Sequence, residues 1–248
     1  YSSAASDVYK RQFLSIPGPT TVPDEVLAAM HRPAQDIYGG PLVRLTESCL
    51  EDLRRVFRTR GPTFIYIGNG HAAWEAALSN VLSPGETVLV LKSGRFAVGW
   101  GEMAAALGAV VETLEGDQRR AVDPAALETR LRQDRAGLIK AVLVVQVDTA
   151  SGVVNDIPAL RRAIDAAGHG ALLMVDAIAS LATMPFAMDE WGVDVAVTCS
   201  QKGLMMSPGL SFIAAGEKAL AAHAAATLRS RYWDWTRRQG DEHYMKYL

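Results

Sequence analysis

An apolar run, Val193-Asp194-Val195-Ala196-Val197-Thr198-Cys199, leads directly into Ser200-Gln201-Lys202-Gly203. The run reads as a strand, and its end would present one amine at the carboxyl edge of a sheet, where an aldehyde could condense with it. Of the six lysines in the chain, this one has that setting. A second run, Ala171-Leu172-Leu173-Met174-Val175, delivers Asp176 to another strand end, followed by the small residues Ala177, Ala179 and Ser180. Either residue alone leaves its role open. A surface lysine in a turn, or an aspartate that caps a helix or holds a metal ion, would leave the same pattern.

Three more strand ends add to the pair. Gly68-Asn69-Gly70-His71 lies between a strand at Thr63 to Ile67 and a helix that starts near His71. Its glycines would let the backbone approach a ligand, and free amides at a helix start favour a dianion such as phosphate. It is neither GxGxxG nor a Walker loop, and a plain glycine turn into a helix has the same look. Asp148-Thr149-Ala150-Ser151-Gly152 follows Ala141 to Val147, which offers the hydroxyls of Thr149 and Ser151. Ser93-Gly94-Arg95-Phe96 follows Val88 to Leu91 and offers a ring that could stack on a flat ligand. Amine, acid and phosphate loop together are what pyridoxal phosphate requires. The amine takes its aldehyde, and the acid keeps its pyridine nitrogen protonated so that the ring accepts electrons.

The elements that must position these groups follow a simple alternation. Strands are expected at 63–67, 86–91, 110–114, 140–147, 171–175, 193–198 and 210–214, and helices at 41–58, 71–82, 96–107, 123–133, 157–168 and 216–227. Asp123-Pro124 and Asp156-Ile157-Pro158 mark two helix starts, an acidic cap before a proline in the first turn. Strands alternating with helices predict an α/β fold, a mostly parallel central sheet between two helical layers. Residues 1–12 carry no clear period and are set aside as a non-native or disordered extension. Residues 13–248 are expected to form one large domain. The tail RSRYWDWTRRQGDEHYMKYL, 229–248, reads as ending without a closing helix or strand, as in a truncated chain.

Composition narrows the function classes. The chain has 248 residues, 49% of them hydrophobic, and a net charge of −2, so it can bury a core but offers no basic footprint for nucleic acid or an anionic membrane. No apolar run approaches the roughly 20 residues of a membrane span. Cys49 and Cys199 lie far apart, without metal-ligand spacing, which points to a reducing compartment, the cytoplasm.

Taken in order, Ile16-Pro17-Gly18-Pro19-Thr20, GNGHAAWEA (68–76), SGRF (93–96), DTASG (148–152), VDAIASL (175–181) and SQKG (200–203) resemble the class V branch of fold-type I pyridoxal-phosphate enzymes. Within that branch the resemblance is to the alanine/serine-glyoxylate aminotransferases. It implies transamination between a small L-amino acid, serine or alanine, and glyoxylate, giving a 2-oxo acid and glycine. It also implies that Lys202 forms the internal aldimine with pyridoxal 5'-phosphate, that Asp176 pairs with the pyridine nitrogen, that Phe96 stacks on the ring and that Thr149 reaches the phenolic oxygen. Gly70, His71 and Gln201 match the phosphate cradle, with Asn69 where the family commonly has serine or threonine. Tyr247 matches a tyrosine that reaches the neighbouring subunit's phosphate, in a homodimer. The resemblance also implies that the end of the large domain and the whole small C-terminal domain, with the arginine that clamps the substrate carboxylate, are missing from this sequence.

Three other readings stay open at this point. A lyase or cysteine desulfurase would share the fold, but a desulfurase needs a mobile cysteine late in the chain, whereas Cys49 and Cys199 read as buried or helix-packing residues. A Rossmann-like nucleotide domain would share the sheet pattern, though GxGxxG is absent. The last is a fragment that binds the cofactor without turnover.

Overall fold

Along each apolar run, alternate side chains enter opposite cores, which is how a strand covered on both faces behaves. The computed structural model describes residues 14–117 and 119–239; Tyr247 and the stretch 1–12 lie outside the described residues. The strands are β1 (Thr63–Gly68), β2 (Thr87–Leu91), β3 (Val110–Leu114), β4 (Ile139–Val145), β5 (Val147–Asp148), β6 (Val153–Val154), β7 (Leu172–Asp176), β8 (Val195–Cys199) and β9 (Gly209–Ala215). The helices are α1 (Asp24–Met30), α2 (Pro41–Phe57), α3 (Gly70–Val81), α4 (Arg95–Ala106), α5 (Pro124–Gln133), α6 (Ile157–Ala166), α7 (Glu217–Ala225) and α8 (Trp235–Arg238).

Seven strands form one sheet in the order β1-β9-β8-β7-β4-β2-β3. Neighbours are parallel except at β9, which runs antiparallel to both β1 and β8. Leu53 and Phe57 of α2, Leu127 of α5 and Leu160 of α6 pack with Val142, Val144, Leu173 and Val175 on one face. Ala73 and Trp74 of α3, Trp100 of α4 and Ala219 of α7 pack with Ala141, Leu143, Leu172 and Met174 on the other. This is the expected three-layer arrangement, and each large apolar side chain buried in it contributes about 1.5–3 kcal/mol. Asp123 and Asp156 cap α5 and α6 as their sequence implies, accepting from the amides of Ala125 and Ala159. Among the described residues no helix is long and apolar enough to cross a membrane.

The structure departs from the sequence reading in three places. The strand expected at 140–147 ends at Val145. Gln146 still takes the Asp176 carbonyl (2.9 Å), but its own carbonyl accepts from Asn155 (2.8 Å), and Val147 and Asp148 turn away to pair with β6. Helix α1 was not expected; it is seven residues long, too short for an apolar period to stand out, and it buries no residue. The tail is not open-ended through residue 239. Asp234 caps α8, Trp235 stacks on Phe64 at 5.2 Å and 9°, and Asn80 ties the amide of Trp235 and the carbonyl of Trp233 to α3.

Candidate active site

The carboxyl ends of β1, β2, β4, β7 and β8 open on one side of the sheet, and a cavity of about 170 Å³ lies there. Asn69, Gly70, His71, Phe96, Thr149, Asp176, Gln201 and Lys202 all line it. Eight residues from five segments of the sequence are thus brought to one wall. Tyr247 is outside the described residues.

Lys202 sits in the β8–β9 connection, which is pinned at its root. Ser200 is fully buried; its Oγ donates to the Ser207 carbonyl (2.7 Å) and accepts from the Leu210 amide (3.2 Å). A Cβ at Gly203 would run into the Leu181 carbonyl, so the lysine loop lies directly on the segment that follows β7. From the other side comes the stretch around Gly18. Thr20 donates its amide to the Gln201 carbonyl (3.1 Å) and its hydroxyl to the Lys202 carbonyl (3.2 Å). Gly18 has φ +145°, a conformation that favours glycine, and a Cβ there would stand 2.7 Å from Lys202 Cδ and 2.9 Å from Nζ, so any side chain would displace the end of the lysine.

Asp176 ends β7 and is buried. Its Oδ2 accepts from Trp74 Nε1 (2.8 Å) and its Oδ1 from the Ile178 amide (2.7 Å). Burial pushes this carboxyl up to about 7; the Ile178 and Trp74 hydrogen bonds and the nearby Lys202 pull the other way, and Asp148 adds to the rise. Cys199, the last residue of β8, also faces the cavity, and burial followed by the Asp176 charge pushes its thiol up to about 11.

The loop at 68–71 differs in detail from the expectation of free amides. Asn69 is the N-cap of α3, and its Oδ1 already accepts from the amides of His71 (3.0 Å) and Ala72 (3.4 Å). Asparagine caps as well as serine does, so the departure from the family pattern keeps the helix start intact while occupying two of its donors. In the 148–152 turn the two hydroxyls part company. Ser151 Oγ donates to the Ser93 carbonyl (2.7 Å), a local backbone bond, while Thr149 remains on the cavity wall.

Two residues that sequence reasoning did not single out belong to the site. Trp74 lies four residues after Gly70 and three after His71 on α3, a helical spacing that puts them on one side, and that spacing was available as a signal. Asp148 is fully buried; its carboxylate accepts from the amides of Phe96, Ala97 and Ala150, each at 3.1 Å. It therefore caps α4 and fixes the position of Phe96. Cys49, expected to be buried or packed in a helix interface, is on α2 but exposed: it lies one turn before Leu53, on the same side, in the part of the helix that precedes its buried residues.

Residues 12–231 match the family model of aminotransferase class-V, and the chain belongs to that family. It is 42% identical over 231 residues to the serine–glyoxylate aminotransferase of Methylorubrum extorquens, covering 91% of this chain and 58% of that protein. To the L-aspartate–glyoxylate aminotransferase of Paracoccus denitrificans it is 40% identical, covering 88% and 56%. Among solved structures, the alanine–glyoxylate aminotransferase of Nostoc sp. superposes with a TM-score of 0.85 at 28% identity, covering 98% of this chain and 67% of that one. The chain spans little more than half the length of the curated relatives it matches.

Proposed function

We propose that this chain carries the cofactor site of an aminotransferase that passes an amino group from a small L-amino acid, serine or alanine, to glyoxylate, with pyridoxal 5'-phosphate as carrier. The observation that supports this most is an amine, Lys202, and a buried carboxylate, Asp176, on one cavity wall. The names of the relatives, glyoxylate aminotransferases with serine or aspartate as donor, point the same way.

The residues present fit the cofactor. Asp176 is a desolvated carboxylate whose hydrogen bonds come from neutral donors, Trp74 and Ile178, so a protonated ring nitrogen would supply the charge that its burial calls for. Gln201 Oε1 is buried without a hydrogen-bond partner among the described residues, a polar atom left over for a ligand. Phe96 would stack on the ring, Thr149 would reach its phenolic oxygen, and Gly70, His71 and Gln201, with Asn69 at the helix start, would hold the phosphate. Tyr247 would reach the phosphate of a second subunit, in a homodimer. When bound, the cofactor supplies an aldehyde that condenses with amines and a cationic ring that accepts electrons from a carbon losing its proton. Lys202 Nζ would be its anchor and, once displaced by the donor's amine, would be the base that takes the proton from Cα of the donor amino acid. Asp176 would hold the proton on the ring nitrogen. Gly18 and Thr20 keep the lysine loop in place while this happens.

Cys199 gives a desulfurase reading little support, since a thiol titrating near 11 is not a thiolate at neutral pH. Both cysteines are free, in keeping with the cytoplasm. We read residues 13–248 as the large, cofactor-binding domain.

The direct test is borohydride reduction of protein incubated with pyridoxal phosphate, followed by peptide mapping. The label is expected on Lys202 and is lost in Lys202→Ala; a label that persists elsewhere in that variant sinks the assignment. Glycine formed from glyoxylate with L-serine or L-alanine then tests the reaction. Uptake of the cofactor with no glycine formed would favour a chain that binds without turnover.

A further inference from the structure

Asp176 is gripped by two donors from different elements. The Ile178 amide is local, two residues along the chain, whereas Trp74 Nε1 reaches across from α3 and is the carboxylate's side-chain donor among the described residues. With one donor on each oxygen, the carboxylate cannot turn about its Cβ–Cγ bond without breaking both bonds. The indole is itself locked. It is 2% exposed, stacks on Trp100 (6.0 Å between centroids, 17°), and meets His71 edge-on at 4.8 Å and Phe96 at 6.3 Å. His71 and Phe96 are residues of the cavity wall.

We propose that Trp74 is a positioning residue for Asp176: its indole N–H holds the carboxylate in place at the cavity wall and favours its ionised form, and its ring ties that carboxylate to His71 and Phe96. This rests on the reading of Asp176 as the partner of the pyridine nitrogen, since only an anionic, oriented acid would keep that nitrogen protonated. The other groups around the carboxyl are Lys202, which favours the anion, Asp148, which opposes it, and the neutral thiol of Cys199. In so dry a place the indole N–H is one of few donors that stabilise the charged form. A tryptophan that merely filled space would leave the carboxyl titration untouched when replaced by phenylalanine.

The test begins with the cofactor-free protein. The Asp176 carboxyl is followed by infrared difference spectroscopy against pH, with Asp176→Asn to assign its band. Trp74→Phe should raise its proton affinity by about tenfold or more, while Trp100→Phe, which removes an equally buried indole with no bond to Asp176, should not. The same variants are then titrated with pyridoxal phosphate by absorbance, and Trp74→Phe should bind about tenfold more weakly with Trp100→Phe close to wild type. A carboxyl that titrates in Trp74→Phe as in the wild type overturns the proposal, as does equal loss of affinity in both tryptophan variants. Should Trp74→Phe not fold, the wild type answers: one indole 15N–H resonance must follow the carboxyl titration and cease to do so in Asp176→Asn, and no titrating indole overturns the proposal. If the titration shifts as expected but the wild type takes up no pyridoxal phosphate, the positioning role stands and the cofactor reading fails.

Discussion

Asp176 carries an acid that is almost wholly buried, and its stability consequence has a definite sign. Its folded-state pKa, about 7, lies above the roughly 3.9 of an unfolded aspartate. Stability from this group is therefore fully present below about pH 4 and is lost as pH rises through 7. Cofactor-free wild type should lose melting temperature between pH 4 and pH 8 relative to Asp176→Asn, by scanning calorimetry. An offset between the two proteins that does not change with pH would show that Asp176 is not desolvated as described. The identity of Asp176 and Lys202 as candidates was legible from the sequence, because each follows a buried run. The indole that grips Asp176 was not singled out, since a tryptophan inside a helix looks like core until its N–H is seen to point at an acid.

At the level of elements, the site depends on how strand ends hand over to helices. Asp148 joins two of them, since one buried carboxylate takes amides from the start of α4 and from the turn after β5. Asp148→Ala should cost at least the ~1–2 kcal/mol of a lost N-cap, because three amide donors lose their acceptor at once. It should also weaken pyridoxal phosphate binding by letting Phe96 move. Chemical denaturation and the absorbance titration measure the two effects, and a variant as stable as wild type would show that water replaces the carboxylate without loss. Most boundaries were readable within two residues, from apolar period and the acidic caps. The break after Val145 was not, because Val147 resumes the apolar run beyond Gln146 and only the bond from Asn155 to the Gln146 carbonyl and the pairing of β5 with β6 divert the chain.

On the scale of the whole molecule, the two cores on either side of the sheet close differently. One is covered by α2, α5 and α6. The other is completed by the segment after α7, whose Trp235 is fully buried and stacks on Phe64. His223, also buried, bonds to Thr236 Oγ1 at 2.8 Å and to the Asn80 carbonyl at 3.1 Å, which fastens the segment to α7 and α3. Trp235→Ala should destabilise the fold by about 3–5 kcal/mol, as other large-to-small aromatic changes do in a core. Asn80, to which Trp235 is tied, lies at the far end of α3 from Gly70 and His71, so pyridoxal phosphate affinity well below the melting transition should stay close to wild type. A small shift in the denaturation midpoint would mean that the tail is an ornament on a core complete without it.

Composition and period alone determined the architecture, because a parallel sheet between helices needs strands apolar on both faces and helices apolar on one, and those patterns are local. The same local logic put Lys202, Asp176, Asn69, Gly70, His71, Phe96 and Thr149 at strand ends. Tertiary structure alone decided which of those ends meet, through the order β8-β7-β4-β2 and the return of β1 beside β9. It also decided what holds the meeting groups: Gly18 against Lys202, Asp148 under Phe96, Trp74 on Asp176. Those contacts join residues 52 to 184 positions apart, and a bond between distant residues leaves no period in a sequence.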